Sequence, residues 1–223
     1  MLIKRFEENK IGRDFFTTDI HGHFDLLHEQ MRLNAFDTSK DRLFVGGDCC
    51  DRGPDSQHIL DYIYEPWFHS VQANHDAMVI QAYEDEFKGS SAEMLYFNGG
   101  EWYFDCPPQK QLAIYNAFKS LPLAIEIESG SELIGIIHAQ APYNDWERFR
   151  GITKAELEWN GYAIAQWART NYDKKDINPV KGVRKLYVGH TPTDSGFIEQ
   201  LGNTFYCDLG SFFRDKLAFI QIN

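Results

Sequence analysis

Hydrophobic positions in the first half of the chain alternate between short runs typical of strands and longer runs with helical spacing. Phe24, Leu27 and Met31 are three and four residues apart, which indicates a helix, whereas short β-rich runs that end in Gly or Asp indicate strands. We predict strands over 14–18, 42–46 and 68–73, and helices over 23–33, 56–64 and 75–87. This alternation implies parallel strands joined by helical crossovers.

The second half has a different pattern. A helix is predicted over 109–119, and two strands over 123–127 and 133–137 are joined by Glu128-Ser129-Gly130-Ser131, which is a hairpin signal. A longer helix is predicted over 153–170, followed by short strands over 185–188, 196–200, 204–207 and 217–222. The last four strands indicate a second, more antiparallel sheet. We expect two sheets packed face to face with helices outside, in one domain that spans 1–223, because no Pro/Gly/Ser-rich linker divides the chain.

Composition and charge exclude several classes of protein. The formal net charge of −11 argues against broad electrostatic binding to nucleic acid or to an anionic membrane, and no apolar run is long enough to span a bilayer. The first ten residues lack the apolar stretch of a signal peptide, so we expect a cytoplasmic protein. The four cysteines form no C-x-x-C pair and are expected to be reduced thiols. Cys49 and Cys50 lie between Asp48 and Asp51, which raises the hypothesis of a redox switch.

Polar side chains that bind metals follow the ends of five predicted strands. The segments are Asp19-Ile20-His21-Gly22, Gly47-Asp48-Cys49-Cys50-Asp51-Arg52-Gly53, Asn74-His75-Asp76, His138-Ala139 and Gly189-His190-Thr191. Ligands bind at the carboxyl edge of such sheets, so the five loops are expected to converge on one crevice.

Aspartate, histidine and asparagine without thiolate suit manganese, iron(II) or zinc at a catalytic site. In a tight loop, Asp19 and His21 can reach one ion, and Asp48 can bridge to a second ion. Asn74, His138 and His190 can complete the second site. Two divalent ions form a clamp for in-line displacement at phosphorus, with a bridging water deprotonated to hydroxide as the nucleophile.

Three further residues have natural roles around such a centre. Arg52 can hold phosphate oxygens in a bidentate fashion, and His75 can protonate the leaving oxygen as a general acid. Asp51 can orient His75 and stabilise its cationic form. Asn74 lies where it can contact phosphate as well as metal.

These motifs together resemble the metal-dependent serine/threonine protein phosphatases of the calcineurin-like metallophosphoesterase superfamily, in particular the small bacterial and phage lambda-type members. Further matches are Asn98-Gly99-Gly100-Glu101-Trp102, Trp159-Asn160 and Cys207-Asp208-Leu209-Gly210. The resemblance implies a four-layer α/β/β/α sandwich of two mixed sheets flanked by helices, and two metal ions, most often manganese. The implied substrates are proteins that carry phosphoserine or phosphothreonine, with phosphotyrosine as a further possibility. By position, the ligands match Asp19, His21 and Asp48 for one ion and Asp48, Asn74, His138 and His190 for the other, with His75, Asp51 and Arg52 as catalytic residues.

One departure from the family pattern, and motifs shared with a second group of enzymes, leave other interpretations open. The family's second phosphate-binding arginine, after Trp-Asn, is Gly161 here, so we expect Arg148, Arg150 or Arg169 to be the candidates to replace it. A symmetrical diadenosine-tetraphosphate hydrolase is the second interpretation, because its motifs resemble Asn74-His75-Asp76 and Arg52–Ser56, but that group typically has glutamine at the position of His21 and lacks Asp51. A phosphate-binding module without activity is the third, against which the intact ligand set and the general-acid pair argue.

Overall fold

Two packed β-sheets form the centre of the protein in a computed structural model that describes residues 2–223. Within that range the strands are β1 (Ile3–Phe6), β2 (Asp14–Thr17), β3 (Arg42–Val45), β4 (Phe68–Ser70), β5 (Ala124–Ser129), β6 (Glu132–Ile137), β7 (Lys185–Val188), β8 (Glu199–Leu201), β9 (Thr204–Tyr206) and β10 (Ile220–Gln221). The first sheet has the order β10-β2-β3-β4, and the second has the order β1-β5-β6-β7-β9-β8.

Helices cover the outer faces of both sheets. The α-helices are α1 (Phe24–Leu33), α2 (Asn74–Glu84), α3 (Gly89–Leu95), α4 (Glu101–Phe104), α5 (Pro108–Ser120), α6 (Trp146–Arg150), α7 (Lys154–Glu156), α8 (Tyr162–Trp167), α9 (Thr170–Asp173) and α10 (Ser211–Arg214). Short 3₁₀ segments span Ser56–Asp61 and Pro142–Asn144, and π-helical turns span Tyr96–Gly100 and Leu157–Gly161.

Alternation along the strands produces three apolar layers. In β3, Leu43 and Val45 pack in the cluster that contains the helix residues Phe24 and Met78, while Phe44 packs in the cluster between the sheets. Successive side chains of a strand point to opposite faces, so one strand serves two cores. A third cluster packs α6 and α8 on the second sheet through residues such as Trp146 and Ala165. The predicted arrangement of two mixed sheets flanked by helices is confirmed.

The parallel pairings bring the predicted site loops to one edge. Strand β2 pairs with β3 and β3 with β4 in parallel, and β6 pairs with β7 in parallel in the other sheet. The loop after β3 continues alongside the loop after β2, since the amide of Asp19 donates to the Gly47 carbonyl at 3.1 Å and that of His21 to the Asp48 carbonyl at 2.9 Å. The two sheets therefore present their carboxyl ends to a common crevice.

Several sequence-based predictions about elements are wrong in detail. The 217–222 strand is shorter and joins the first sheet, where β10 runs antiparallel to β2. The second sheet is more antiparallel than the first, as predicted, with two of five pairings against one of three, but most of its pairings are parallel. Strand β1 and the helices between residues 89 and 104 were not predicted. Segment 56–64 forms a 3₁₀ turn instead of an α-helix, with the Asp55 amide tied to the Gly22 carbonyl at 3.0 Å.

The predicted helix over 153–170 is interrupted for a reason that matters to the site. It contains the π-helical turn and ends at Trp167, because Ala168 adopts an extended conformation with ψ 135°. The carbonyl of Trp167 is thereby available to accept a hydrogen bond from His190 Nε2 at 3.0 Å. Within residues 2–223, no helix has the length and apolar character needed to cross a bilayer.

Candidate functional site

The predicted site residues come together at the shared carboxyl edge of the two sheets. Eight of the nine are buried, with 6% exposure or less, namely Asp19, His21, Asp48, Asp51, Asn74, His75, His138 and His190. Arg52 is the exception and is exposed at the mouth of the crevice. Buried polar groups at this density need partners, because each unpaired one costs free energy.

Asp48 stands at the centre of the site. Its Oδ2 lies 3.3 Å from His138 Nε2, 3.8 Å from His21 Nε2 and 3.9 Å from His75 Nε2. Two groups of potential metal ligands share it, His21-Asp48-His75 and Asp48-His138-His190, and the ligand atoms of each group lie within 4.8 Å of one another. This is the placement that a carboxylate bridging two ions needs.

Backbone carbonyls fix the imidazole rings. His21 Nδ1 donates to the Cys50 carbonyl at 2.9 Å, His138 Nδ1 to the Gly46 carbonyl at 2.7 Å, and His190 Nε2 to the Trp167 carbonyl at 3.0 Å. In each ring the other nitrogen faces the crevice. Metal-ligating histidines are normally held in this way by their second nitrogen.

Acceptor atoms converge around the amide of Asn74. Its Oδ1 lies 2.7 Å from His138 Nε2 and 3.2 Å from His190 Nδ1. The opposite nitrogens of both rings donate elsewhere, so in their neutral forms both rings would present lone pairs to the amide oxygen. A proton on His138, or a cation bound between the rings and the amide, would satisfy these facing acceptors. Oxygen and imidazole ligands without thiolate fit a catalytic divalent cation.

The shifted pKa values describe how charge is distributed among the buried groups of the site. Burial lowers the pKa of His21 to about 3, and burial followed by the positive charge of His138 lowers the pKa of His190 to about 3. Burial also opposes charge on His138, but the Asp48 carboxylate outweighs it and raises the pKa of His138 to about 9. Although burial opposes its charge, the imidazoles of His138 and His75 hold the pKa of Asp48 well below its usual range. A buried carboxylate thus draws a compensating positive charge to this point.

Asp19 belongs to neither of the two groups of ligand atoms. Its carboxylate accepts a hydrogen bond from Thr18 Oγ1 at 2.5 Å and from the His190 amide at 3.0 and 3.1 Å. A β-carbon at Gly189 would overlap this carboxylate, so the close approach of the two loops requires glycine there. Burial and the charge of Asp208 raise the pKa of Asp19. The role of Asp19 as a ligand stays a prediction.

The predicted general-acid pair has a third member. His75 Nδ1 donates to Asp51 Oδ2 at 2.6 Å, and the indole Nε1 of Trp102 donates to Asp51 Oδ1 at 2.7 Å. Sequence reasoning included Trp102 in a family-like motif but gave it no role. Both oxygens of Asp51 are therefore engaged, which fixes the carboxylate and hence the ring of His75.

Three arginines are candidates for the second phosphate contact that Gly161 does not provide, and their surroundings differ. Arg148 stacks 3.8 Å from the ring centroid of Tyr143, and Arg150 pairs with Glu126 at 2.5 Å and with Glu147 at 2.6 Å. Arg169 is exposed, forms no salt bridge within residues 2–223, and lies close enough for its charge to contribute to the lowered pKa of His190. Gly161 itself is buried.

A β-carbon at Gly161 would lie 2.9 Å from Leu157 Cδ1 and 3.0 Å from Ile152 Cδ1. A side chain at this position therefore starts towards apolar neighbours.

The adjacent cysteines lie in the interior of the fold beside the site. Cys49 and Cys50 are both buried, and burial raises the pKa of each thiol well above its usual value. Cys50 Sγ also donates to the Ser56 carbonyl at 3.3 Å. Because the thiolate is the reactive form, burial and the raised pKa values do not favour a redox role for these thiols.

Comparison with known proteins gives consistent results. The calcineurin-like phosphoesterase family matches residues 15–218. The chain is 31% identical over 207 residues to serine/threonine-protein phosphatase 2 of Escherichia coli, covering 92% of this chain and 90% of that protein. It is 26% identical over 225 residues to serine/threonine-protein phosphatase 1 of Salmonella typhimurium, covering 99% and 97%. The crystal structure of a putative diadenosine tetraphosphatase has a TM-score of 0.66 at 18% identity, covering 98% of this chain and 92% of that one, which shows the shared fold.

Replacing Asp48 with asparagine tests the metal centre. Because Asp48 belongs to both ligand groups, Asp48→Asn should abolish the binding of both divalent ions at micromolar manganese. Metal content after desalting, measured by mass spectrometry, gives the stoichiometry, and circular dichroism checks the fold. Asp61→Asn, an exposed aspartate outside the site, is the control and should retain both ions. Unchanged metal content in Asp48→Asn would rule out a shared carboxylate ligand.

Proposed function

The chain belongs to the calcineurin-like phosphoesterase family of metal-dependent hydrolases, and from this premise we propose that it removes phosphate from phosphoserine and phosphothreonine in proteins. The observation that carries the proposal is the Trp102-Asp51-His75 chain of hydrogen bonds beside the shared carboxylate Asp48. A phosphate-binding module without activity needs no positioned general acid. We further propose a cytoplasmic enzyme, with phosphotyrosine as an additional substrate to be tested.

The metal ligands we propose are Asp19, His21 and Asp48 for one ion and Asp48, Asn74, His138 and His190 for the other. Their oxygen and imidazole donors suit manganese, with iron(II) and zinc as the other candidates. Two such ions supply a water activated at neutral pH and offset the charge of the phosphoryl oxygens. Asn74 and Arg52 are placed to contact those oxygens as well.

His75 supplies the proton to the departing oxygen in this proposal. Its Nδ1 is held by Asp51, which leaves Nε2 directed towards Asp48 and the crevice, 3.9 Å from Asp48 Oδ2. Asp51 orients the ring of His75, and Trp102 keeps Asp51 in place. A serine or threonine alkoxide is a poor leaving group, so protonation at this position is needed for its departure.

We propose that Arg169 takes the place of the second phosphate-binding arginine, whose position is Gly161 in this chain. The segment that carries it is fixed on the second ligand group, because the Trp167 carbonyl accepts from His190 and Gln166 Nε2 donates to the Gln72 side chain at 3.1 Å. Arg148 and Arg150 are engaged elsewhere. Arg52 and Arg169 would then approach the phosphate from opposite sides of the centre.

A diadenosine-tetraphosphate hydrolase is the second candidate. The structural similarity to a putative diadenosine tetraphosphatase favours it at the level of the fold. The presence of His21 and Asp51, and the similarity to two serine/threonine-protein phosphatases over more than nine-tenths of the chain, favour protein substrates.

Metal removal and substrate comparison test the proposed function. The metal-stripped protein should release no phosphate, and manganese should restore release from phosphoserine and phosphothreonine peptides, because the ions supply the activated water. Phosphotyrosine peptide and diadenosine tetraphosphate are assayed in parallel, and the dinucleotide should be slow. Rapid dinucleotide cleavage with silent peptides would replace the proposal with the second candidate.

Loss of the general acid should depend on the leaving group. His75→Gln should lower kcat on a phosphoserine peptide by about 10²–10⁴-fold, and much less on p-nitrophenyl phosphate, whose leaving group needs no proton. Metal content is measured alongside, because His75 lies beside His21 and Asp48. Equal losses on both substrates, or loss of an ion, would contradict the role of general acid.

The second arginine is tested against a neighbour. Arg169→Ala should lower kcat/KM for phosphopeptides by about 10- to 100-fold, since a charge-assisted contact to phosphate is lost. Arg148→Ala, whose guanidinium is stacked on Tyr143, is the matched control and should leave kcat/KM unchanged. Equal kinetics for both variants would exclude Arg169 from phosphate binding.

A further inference from the structure

The guanidinium of Arg52 lies at the mouth of the site without a neutralising partner. Its Nη1 donates to His21 Nε2 at 2.9 Å, and it forms no salt bridge with any carboxylate of residues 2–223, although the chain has a net charge of −11. A long exposed side chain of this kind has considerable rotamer freedom, which binding to phosphate would have to remove. The hydrogen bond to His21 uses the same nitrogen that would bind a metal ion, because the other ring nitrogen donates to the Cys50 carbonyl. A second contact is therefore needed to hold the guanidinium when an ion is bound.

Phe212 makes that contact. The guanidinium carbon of Arg52 lies 4.5 Å from the centroid of the Phe212 ring, which is within cation–π range. The same ring meets the His21 ring edge to face at 5.3 Å and remains 38% exposed. An aromatic face orients a guanidinium without neutralising it, so the charge of Arg52 stays available to an anion.

The backbones that carry the two side chains are both fixed to the site. Phe212 lies on α10, where Ser211 Oγ donates to the Asp19 carbonyl at 2.5 Å and Arg214 Nη1 to the Thr193 carbonyl at 2.9 Å. The amide of Arg52 donates to the Gly99 carbonyl at 2.8 Å. The ring therefore stands in a fixed relation to the loops of the metal centre.

We propose that Phe212 is a positioning residue, which holds the Arg52 guanidinium over the centre in the orientation that receives the phosphoryl group. The proposal rests on the chain being a phosphoesterase, and it is independent of whether the substrate is a phosphoprotein. Phe212 touches neither the reacting atoms nor the proton, and in this proposal it acts through Arg52. Its second contact, with the His21 ring, is controlled for by measuring the metal content of each variant.

Phe212→Leu tests this role, with Phe213→Leu as the matched control. Phe213 is the next residue on α10, is 50% exposed and stacks on Arg214 at 4.7 Å, away from Arg52. In the manganese-loaded protein, Phe212→Leu should weaken the binding of inorganic phosphate in calorimetry and raise KM for p-nitrophenyl phosphate, each by about two- to fivefold, with kcat less affected. Phe212→Tyr, which keeps the aromatic ring, should have the phosphate affinity and the KM of the parent protein. Phe213→Leu should also match the parent protein in both.

A double-mutant cycle distinguishes positioning from a structural effect. In an Arg52→Ala background, Phe212→Leu should cause no further loss of phosphate affinity, because its partner is gone. Additive losses, or a loss of metal content that accounts for the weaker binding, would overturn the proposal. If the leucine variant fails to fold by circular dichroism, Phe212→Met replaces it, with the same expectations.

Direct phosphate binding also separates this proposal from the proposed function. If phosphopeptides are not hydrolysed but Phe212→Leu still weakens phosphate binding through Arg52, the positioning role stands and the protein-phosphatase proposal fails. If phosphopeptides are hydrolysed but phosphate affinity and KM are unchanged in Phe212→Leu, the positioning role fails alone.

Discussion

The carboxylate of Asp48 is buried where three imidazole nitrogens lie within 4 Å of one of its oxygens, and the arrangement of both sheet edges follows from this cluster. A charged carboxylate away from water is costly unless positive charge compensates it. The imidazoles come from the loop after β2, the start of α2 and the end of β6, so compensation requires the two sheets to meet here. His138, from the second sheet, also donates to the Gly46 carbonyl of the first sheet at 2.7 Å.

This convergence is imposed on a strained backbone. Six of the thirteen non-glycine residues with positive φ belong to the site: Asp19, His21, Asp48, Asp51, Arg52 and His190. Such conformations cost roughly 1–3 kcal/mol each and persist only where the surroundings over-determine them. The three apolar clusters and the backbone pairing between the loops after β2 and β3 supply that constraint. These left-handed backbone conformations turn the polar side chains at the strand ends inward, into one crevice.

The charge at the mouth contrasts with the charge of the whole chain. The protein carries a net charge of −11, yet Arg52 and Arg169, which flank the crevice, form no salt bridge within the described residues. Guanidinium groups without a carboxylate partner, beside residues that would hold divalent cations, make this region suited to a phosphate dianion. The aromatic contact of Phe212 with Arg52 is consistent with this, because stacking orients the charge without neutralising it.

The class of fold and the candidate site residues could be predicted from the sequence, because strand periodicity and the polar residues after each strand are local features. The family-like motifs also placed His75 with Asp51. Three features depend on how distant segments pack: β10 returns to the first sheet, the 153–170 helix ends at Trp167, and Gly161 is buried against Leu157 and Ile152. The tertiary structure also decided that Trp102 binds Asp51 and that Phe212 stacks on Arg52. These pairs are far apart along the chain, and no local periodicity encodes which distant side chains meet when two sheets pack face to face.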